Sequence, residues 1–315
     1  MPSTRRSAML LPLLGLPLAT AKAVPAQMYT LTDLYQGTNF FDSFSFFTGP
    51  DPTQGWVQYV NRTTAQQNGL IDAAEGPVYV GVDYTTKLYV DGPAPGRQSV
   101  RLTSNKAYNA SLIIGDFEHT PGGICGTWPA FWTFGPNWPY SGEIDIMEGQ
   151  NGQTSNLMSL HTGANCTIAG EYETGTLENS DCYQYSPTEY GSGCGVSDGR
   201  PASWGKTFNK HGGGVYAVEW TNEYIRIFFF PRSKIPRDIT MGQPNPAKWG
   251  KPSANFYGGC DIPSHFVNHN IIFDNTFCGS WAGPAFETYP EWYDIPFHLF
   301  VEQAIYRRGA NICGK

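Results

Sequence analysis

Charge is scarce in this chain. Only 15% of its 315 residues are Asp, Glu, Lys or Arg, and the acids lead, for a formal net charge of −7. Adjoining basic residues occur at Arg5-Arg6 and Arg307-Arg308 and nowhere else. A phosphate backbone demands a basic face, so nucleic acid is excluded as a partner. Long apolar runs are also missing. The stretch 8–18 is apolar but too short to cross a bilayer, and no later run exceeds it. Extended helical periodicity is absent as well, because 36 Gly and 24 Pro interrupt the sequence throughout. The spacing of the seven cysteines fits no zinc site. No cofactor or metal is implied.

What is present is aromatic and turn-rich. Phe, Trp and Tyr make up 15% of the residues. Short β-rich runs at 78–82, 99–102, 111–117, 215–220, 224–230 and 271–277 lie between Gly/Pro turn signals. Strands spaced this way predict an antiparallel β-sandwich or barrel. Residues 161–213 look poor in strands. They hold Cys166, Cys182 and Cys194, and read as a long disulfide-pinned excursion. Residues 231–256, with five prolines, read as loop.

The N-terminus has the form of a secretory signal peptide. Arg5-Arg6 precedes the apolar stretch, and Ala21-Lys22-Ala23 offers small residues for cleavage, which predicts removal of residues 1–23. Secretion allows disulfides. An odd cysteine count leaves at least one without an internal partner. Sequons at Asn61, Asn109 and Asn165 fit the same compartment.

The chemistry concentrates in residues 141–149, "SGEIDIMEG". On a strand, alternate residues share a face, so Glu143 and Asp145 point together and Glu148 falls out of rhythm. A β-bulge at Ile146-Met147 would return Glu148 to their face. Two glutamates so placed can bring their carboxyls to about 5–6 Å, near the separation a retaining glycosidase uses. A calcium site or a solvated acidic face would use the same residues. Upstream, "GTWPAFWTFGPNWPY" (126–140) is rich in rings, and aromatic faces suit the flat C–H faces of sugars.

This stretch resembles the catalytic strand of glycoside hydrolase family 16, Glu-x-Asp-x-x-Glu. Trp128-Pro129-Ala130 before it and "LHTGANC" (160–166) after it extend the likeness, as do "DPTQGWVQYVN" (51–61), "GRQSVRLTS" (96–104) and "FCGSWAG" (277–283). More closely, the chain is similar to the secreted fungal endo-β-1,3(4)-glucanases of that family, the laminarinase-like group, over residues 29–283. The resemblance implies an all-β, concanavalin A-like jelly-roll sandwich with a glycan cleft, here spanning 24–283 with long disulfide-pinned loops. It implies Glu143 as nucleophile, Glu148 as acid/base and Asp145 as the group that orients the nucleophile. His161 resembles the family histidine near the acid/base. Trp128 and Trp281 resemble cleft tryptophans. Trp132 is expected to bind sugar or to fill the core, and Arg97 to bond sugar hydroxyls or to form a salt bridge.

The implied activity is retaining endo-hydrolysis of β-1,3 or mixed-linkage β-1,3(4)-glucan by a secreted monomer. A glucan transglycosylase or a non-catalytic glycan-binding protein stands as the alternative. After Gly283 the likeness dissolves. Residues 284–315 read as a divergent tail, whose Cys313 could take Cys278 as its partner.

Overall fold

The computed structural model describes residues 29–74, 76–88 and 96–286. The signal-peptide expectation (1–23), Cys313 and nearly all of the tail lie outside these residues. Sixteen strands are described: β1 (Phe44–Phe46), β2 (Val57–Tyr59), β3 (Ile71–Asp72), β4 (Tyr79–Val80), β5 (Arg97–Ser99), β6 (Arg101–Tyr108), β7 (Leu112–Phe117), β8 (Thr127–Phe134), β9 (Glu143–Glu148), β10 (Leu157–His161), β11 (Thr176–Asn179), β12 (Cys194–Ser197), β13 (Gly214–Trp220), β14 (Ile225–Pro231), β15 (Ala254–Phe256) and β16 (His269–Phe277).

Twelve of them form the sandwich. One sheet has the order β1-β6-β16-β8-β9-β10-β12-β11, the other β15-β14-β13-β7. Neighbours within both are antiparallel. This is the jelly-roll arrangement expected from the turn-punctuated runs. The two remaining ribbons, β2–β5 and β3–β4, are separate two-stranded sheets packed against the large one.

The period-2 pattern explains the layering. On β8, alternate residues are buried and half-buried, so Phe131 goes inward while Trp128, Ala130, Trp132 and Phe134 share the other face. Ile144, Ile146, Met147, Met158, Leu160 and Val196 from the large sheet meet Tyr216, Val218, Ile225, Ile227 and Phe256 from the small one in a single core. The opposite face of the large sheet is left for function. β9 has partners on both sides, which makes it a stiff support.

Residues 161–213 depart from the expectation. They contain β11 and β12, which extend the large sheet past β10. Both strands are four residues long, and β11 (Thr-Leu-Glu-Asn) is mostly exposed, so no apolar alternation announces it. Likewise β15 lies at the end of the supposed loop 231–256 and pairs with β14. Disulfides join Cys166 to Cys260 and Cys182 to Cys194, and Cys125 is free and buried.

Candidate active site

The strand carrying the acids begins and ends at glycines for steric reasons. Gly142 has φ +82°, and a Cβ there would lie 2.5 Å from the His265 carbonyl oxygen. A Cβ at Gly149 would lie 2.7 Å from the buried indole of Trp204. The chain therefore enters and leaves β9 along paths that other residues would block.

Between these glycines the bulge is present. Glu143, Ile144 and Asp145 pair with Phe134, Thr133 and Trp132 of β8, and the ladder resumes at Met147 with Phe131 and Glu148 with Ala130. Ile146 is the extra residue. On the other flank, Glu143, Asp145 and Glu148 face His161, Ser159 and Leu157 of β10. Directly opposed residues share a face. Glu143, Asp145 and Glu148 thus stand on the outer face with Trp132 and Phe134, while Ile144, Ile146 and Met147 are buried in the core behind them.

Each acid has a distinct setting. Glu148 Oε1 accepts a bond from Trp128 Nε1–H at 2.8 Å. Burial is the main cause raising its carboxyl from an ordinary 4.5 to about 7. The Trp128 bond and the charge of His161 pull it down, while the charges of Glu143 and Asp274 add to the rise. Glu143 instead accepts from the indole N–H of Trp138, which is 41% exposed at the rim. Asp145 is 1% exposed, with Oδ2 3.3 Å from His161 Nε2.

Burial and the flanking glutamates work against ionisation of Asp145, and His161 offsets them. For His161 the balance runs upward. Burial alone would lower its affinity for a proton, but the Asp145 contact and the charges of all three acids raise the ring to about 10. A cationic ring carries protons on both nitrogens, so Nδ1–H donates to Gln184 Oε1 at 2.6 Å.

The hairpin between β8 and β9, which presents Trp138, rests on another histidine. His269 is fully buried, its Nε2–H donates to the Ser141 carbonyl at 2.7 Å, and its Nδ1 accepts from Thr133 Oγ1–H at 2.9 Å. Burial lowers this ring to about 4, which keeps it neutral and in that tautomer.

The structure sorts the remaining sequence-derived residues. Trp281, on the helix Gly279–Phe286, meets Trp128 edge to face with centroids 5.3 Å apart, making an indole corner beside Glu148. Trp132 lies on the acid face, stacked on Phe134, and its Nε1–H donates to Asp274 Oδ1 at 3.1 Å. Arg97 is placed elsewhere. Its guanidinium is buried and donates to the carbonyls of Asp83 and Thr86 at 2.8 and 3.3 Å, with the Asp83 carboxylate 4.0 Å away. It anchors that loop, the salt-bridge use of the residue, and is not brought to β9.

Four site residues were missed by the sequence reading. Asp274 shares the acid face two strands from Glu148, held by Tyr59 Oη–H at 3.2 Å and by Arg101 at 3.8 Å, with burial raising it to about 6. It and Arg101 come from β16 and β6, and no local pattern marks them. Gln184 sits in the excursion after β10. Trp138 alone had a signal, the ring-rich run 126–140.

A jelly-roll sandwich whose open face carries two glutamates across a bulge, one favouring its acid form and both touched by indoles, defines a class: glycoside hydrolases that work with a carboxylate pair. A family model described as an XgeA-like, catalytic GH16 domain matches residues 44–296. The chain belongs to glycoside hydrolase family 16. That match runs beyond residue 283, into the segment the sequence reading set apart.

Among curated relatives, the endo-1,3(4)-beta-glucanase xgeA of Emericella nidulans is 46% identical over 263 residues, 83% of this chain and 41% of that protein. A probable endo-1,3(4)-beta-glucanase of Aspergillus niger is 46% identical over 264 residues, 84% of this chain and 35% of that protein. This chain thus spans well under half the length of those relatives. Laminarinase 16A from Phanerochaete chrysosporium, solved with 6-O-glucosyl-laminaritriose in donor and acceptor sites, superposes with TM-score 0.79 at 42% identity, covering 83% of this chain and 89% of that one. An elongating family 16 beta-1,3-glucosyltransferase gives 0.77 at 47% identity, covering 82% and 85%.

Proposed function

We propose that this protein is a secreted, retaining endo-β-glucanase that cleaves β-1,3 or mixed-linkage β-1,3(4)-glucans by double displacement. The bulge is the observation that carries this reading, because it aims Glu143 and Glu148 from one stiff strand at a common face. Glu143 attacks the anomeric carbon while Glu148 gives its proton to the departing glycosidic oxygen. The glycosyl ester removes the charge of Glu143, which is one of the causes holding Glu148 protonated. Glu148, left as a carboxylate by that proton transfer, takes a proton from the attacking water and is acid again, and the ester bond breaks. Asp145 and cationic His161 hold the space between them. Trp128, Trp132 and Trp281 supply ring faces for sugar units.

The names of the relatives support β-glucan as the substrate class. The disulfides and the exposed positions of Asn61, Asn109 and Asn165 support an oxidising, extracellular setting. No helix among the described residues is long and apolar enough to cross a membrane. The test is release of reducing ends from β-1,3-glucan, mixed-linkage glucan and cellulose. Wild type should act on the first two, and Glu143→Gln should lose roughly 10⁴-fold. Activity that survives this substitution would falsify the assignment. A second reading, glucan elongation, is favoured by the similarity to the elongating glucosyltransferase. Products longer than the substrate, seen by mass spectrometry, would establish it.

A further inference from the structure

The bulge makes a backbone problem that one side chain answers. Ile146 and Met147 together oppose the single residue Met158 of β10, so the ladder skips beside Glu148. A buried peptide group left unpaired there would be costly. Asn156, the residue just before β10, spans the skip. Its Oδ1 accepts from Glu148 N–H at 2.9 Å, and its Nδ2–H donates to the Ile146 carbonyl at 2.9 Å.

The clamp is itself held. Asn156 N–H donates to Ser203 Oγ at 3.0 Å, and the Asn156 carbonyl accepts from Asp198 N–H at 2.9 Å. Ser203 Oγ–H donates onward to the Arg200 carbonyl at 2.6 Å. Asn156 and Ser203 are both 0% exposed.

We propose that Asn156 is a positioning residue for the acid/base. Resting on the hydrolase reading above, the proposal assigns to its carboxamide the direction in which Glu148 leaves the strand. The two bonds fix both ends of the Met147 unit, which sets the backbone dihedrals just ahead of Glu148. Glu143 does not depend on them. It lies in the regular half of β9, in register with Phe134 and His161. Loss of the clamp should therefore impair proton transfer to the leaving group and spare nucleophilic attack. A displacement near 1 Å suffices for a loss of about 10²-fold.

Leaving-group chemistry separates this role from mere scaffolding. A β-1,3-glucan departs as a sugar alkoxide that needs the proton of Glu148. A 2,4-dinitrophenyl β-laminaribioside departs as a phenolate that needs none, and its pre-steady-state burst reports attack by Glu143 alone. Asn156→Ala should lower kcat on glucan about 10²-fold with KM changed less than about threefold, while the burst rate stays within about fivefold of wild type. Asn156→Asp should recover, relative to wild type, as pH falls, because a protonated carboxyl again donates and accepts. Ser203→Ala, the milder change, should show the same split at smaller size.

Equal losses on both substrates, or no loss on either, overturn the role. If Asn156→Ala does not fold, equal losses in Ser203→Ala overturn it. A substrate-free reading comes from amide exchange. The peptide 143–150 should exchange faster in the variants while 214–220 does not, and unchanged exchange at 143–150 also overturns the clamp. A wild type inactive on both substrates defeats the hydrolase reading itself, whatever the exchange shows.

Discussion

At the residue scale the site is governed by where two protons rest. Glu148 holds one because burial raises its carboxyl to about 7. Its acid form is needed for the first step, so the rate of glucan cleavage should fall as pH rises through about 7. The Trp128 bond favours the carboxylate form. Trp128→Phe removes it, so the alkaline limb of the kcat/KM profile should move to higher pH. A limb that moves down, or stays, contradicts this assignment.

His161 holds the second proton. Its ring keeps that proton to about 10 in the folded protein and loses it near 6.5 when unfolded. The resulting stabilisation is complete below pH 6.5 and decays as pH rises toward 10. The thermal stability of the wild type should therefore fall across that window, and that of His161→Gln should fall less. Equal slopes would rule out the cationic ring.

At the scale of the element, β9 depends on what lies at its two ends. Gly142→Ala forces a left-handed φ on a residue with a Cβ and drives that atom against the His265 carbonyl, which belongs to backbone and cannot swing aside. The cost should be about 1–3 kcal/mol, visible as a lower denaturation midpoint at unchanged m-value. An Ala variant as stable as the wild type would show that the strand entry is not constrained. Much of this element was legible beforehand. The two-residue period of Glu143, Asp145 and the off-beat Glu148 pointed to a bulge at Ile146-Met147, and the register confirms it. The strands β11 and β12 were not legible. They are short, and β11 carries polar residues where alternation should show. The pairing of β12 with β10, and of β11 with β12, depends on long-range contacts that no window of sequence contains.

At the scale of the molecule, the disulfides hold the excursion that reaches back to the site. Cys182–Cys194 ties the segment carrying Gln184 to the start of β12, and Gln184 accepts the bond from His161. Replacing both cysteines by Ala should cost about 2–4 kcal/mol, a magnitude typical of a loop this short. It should also reduce glucan cleavage at temperatures where the fold persists, because His161 loses its outer support. A pair of substitutions that lowers the melting temperature and leaves activity untouched would separate the excursion from the site.

Local sequence alone determined the strand-rich class, the bulge and the three acids, because a two-residue period and a run of six residues are short-range facts. Arg97 shows the limit. Its sequence context left sugar binding and a salt bridge both open, and tertiary contact with the loop at Asp83 and Thr86 decided between them. Asp274, Arg101, Gln184 and Asn156 join the site only because β16 and β6 are built into the same sheet as β9 and the flanks of β10 fold beside it. The fold alone decided that, since a residue's company is set by pairing between distant segments, and such pairing leaves no trace in either segment by itself.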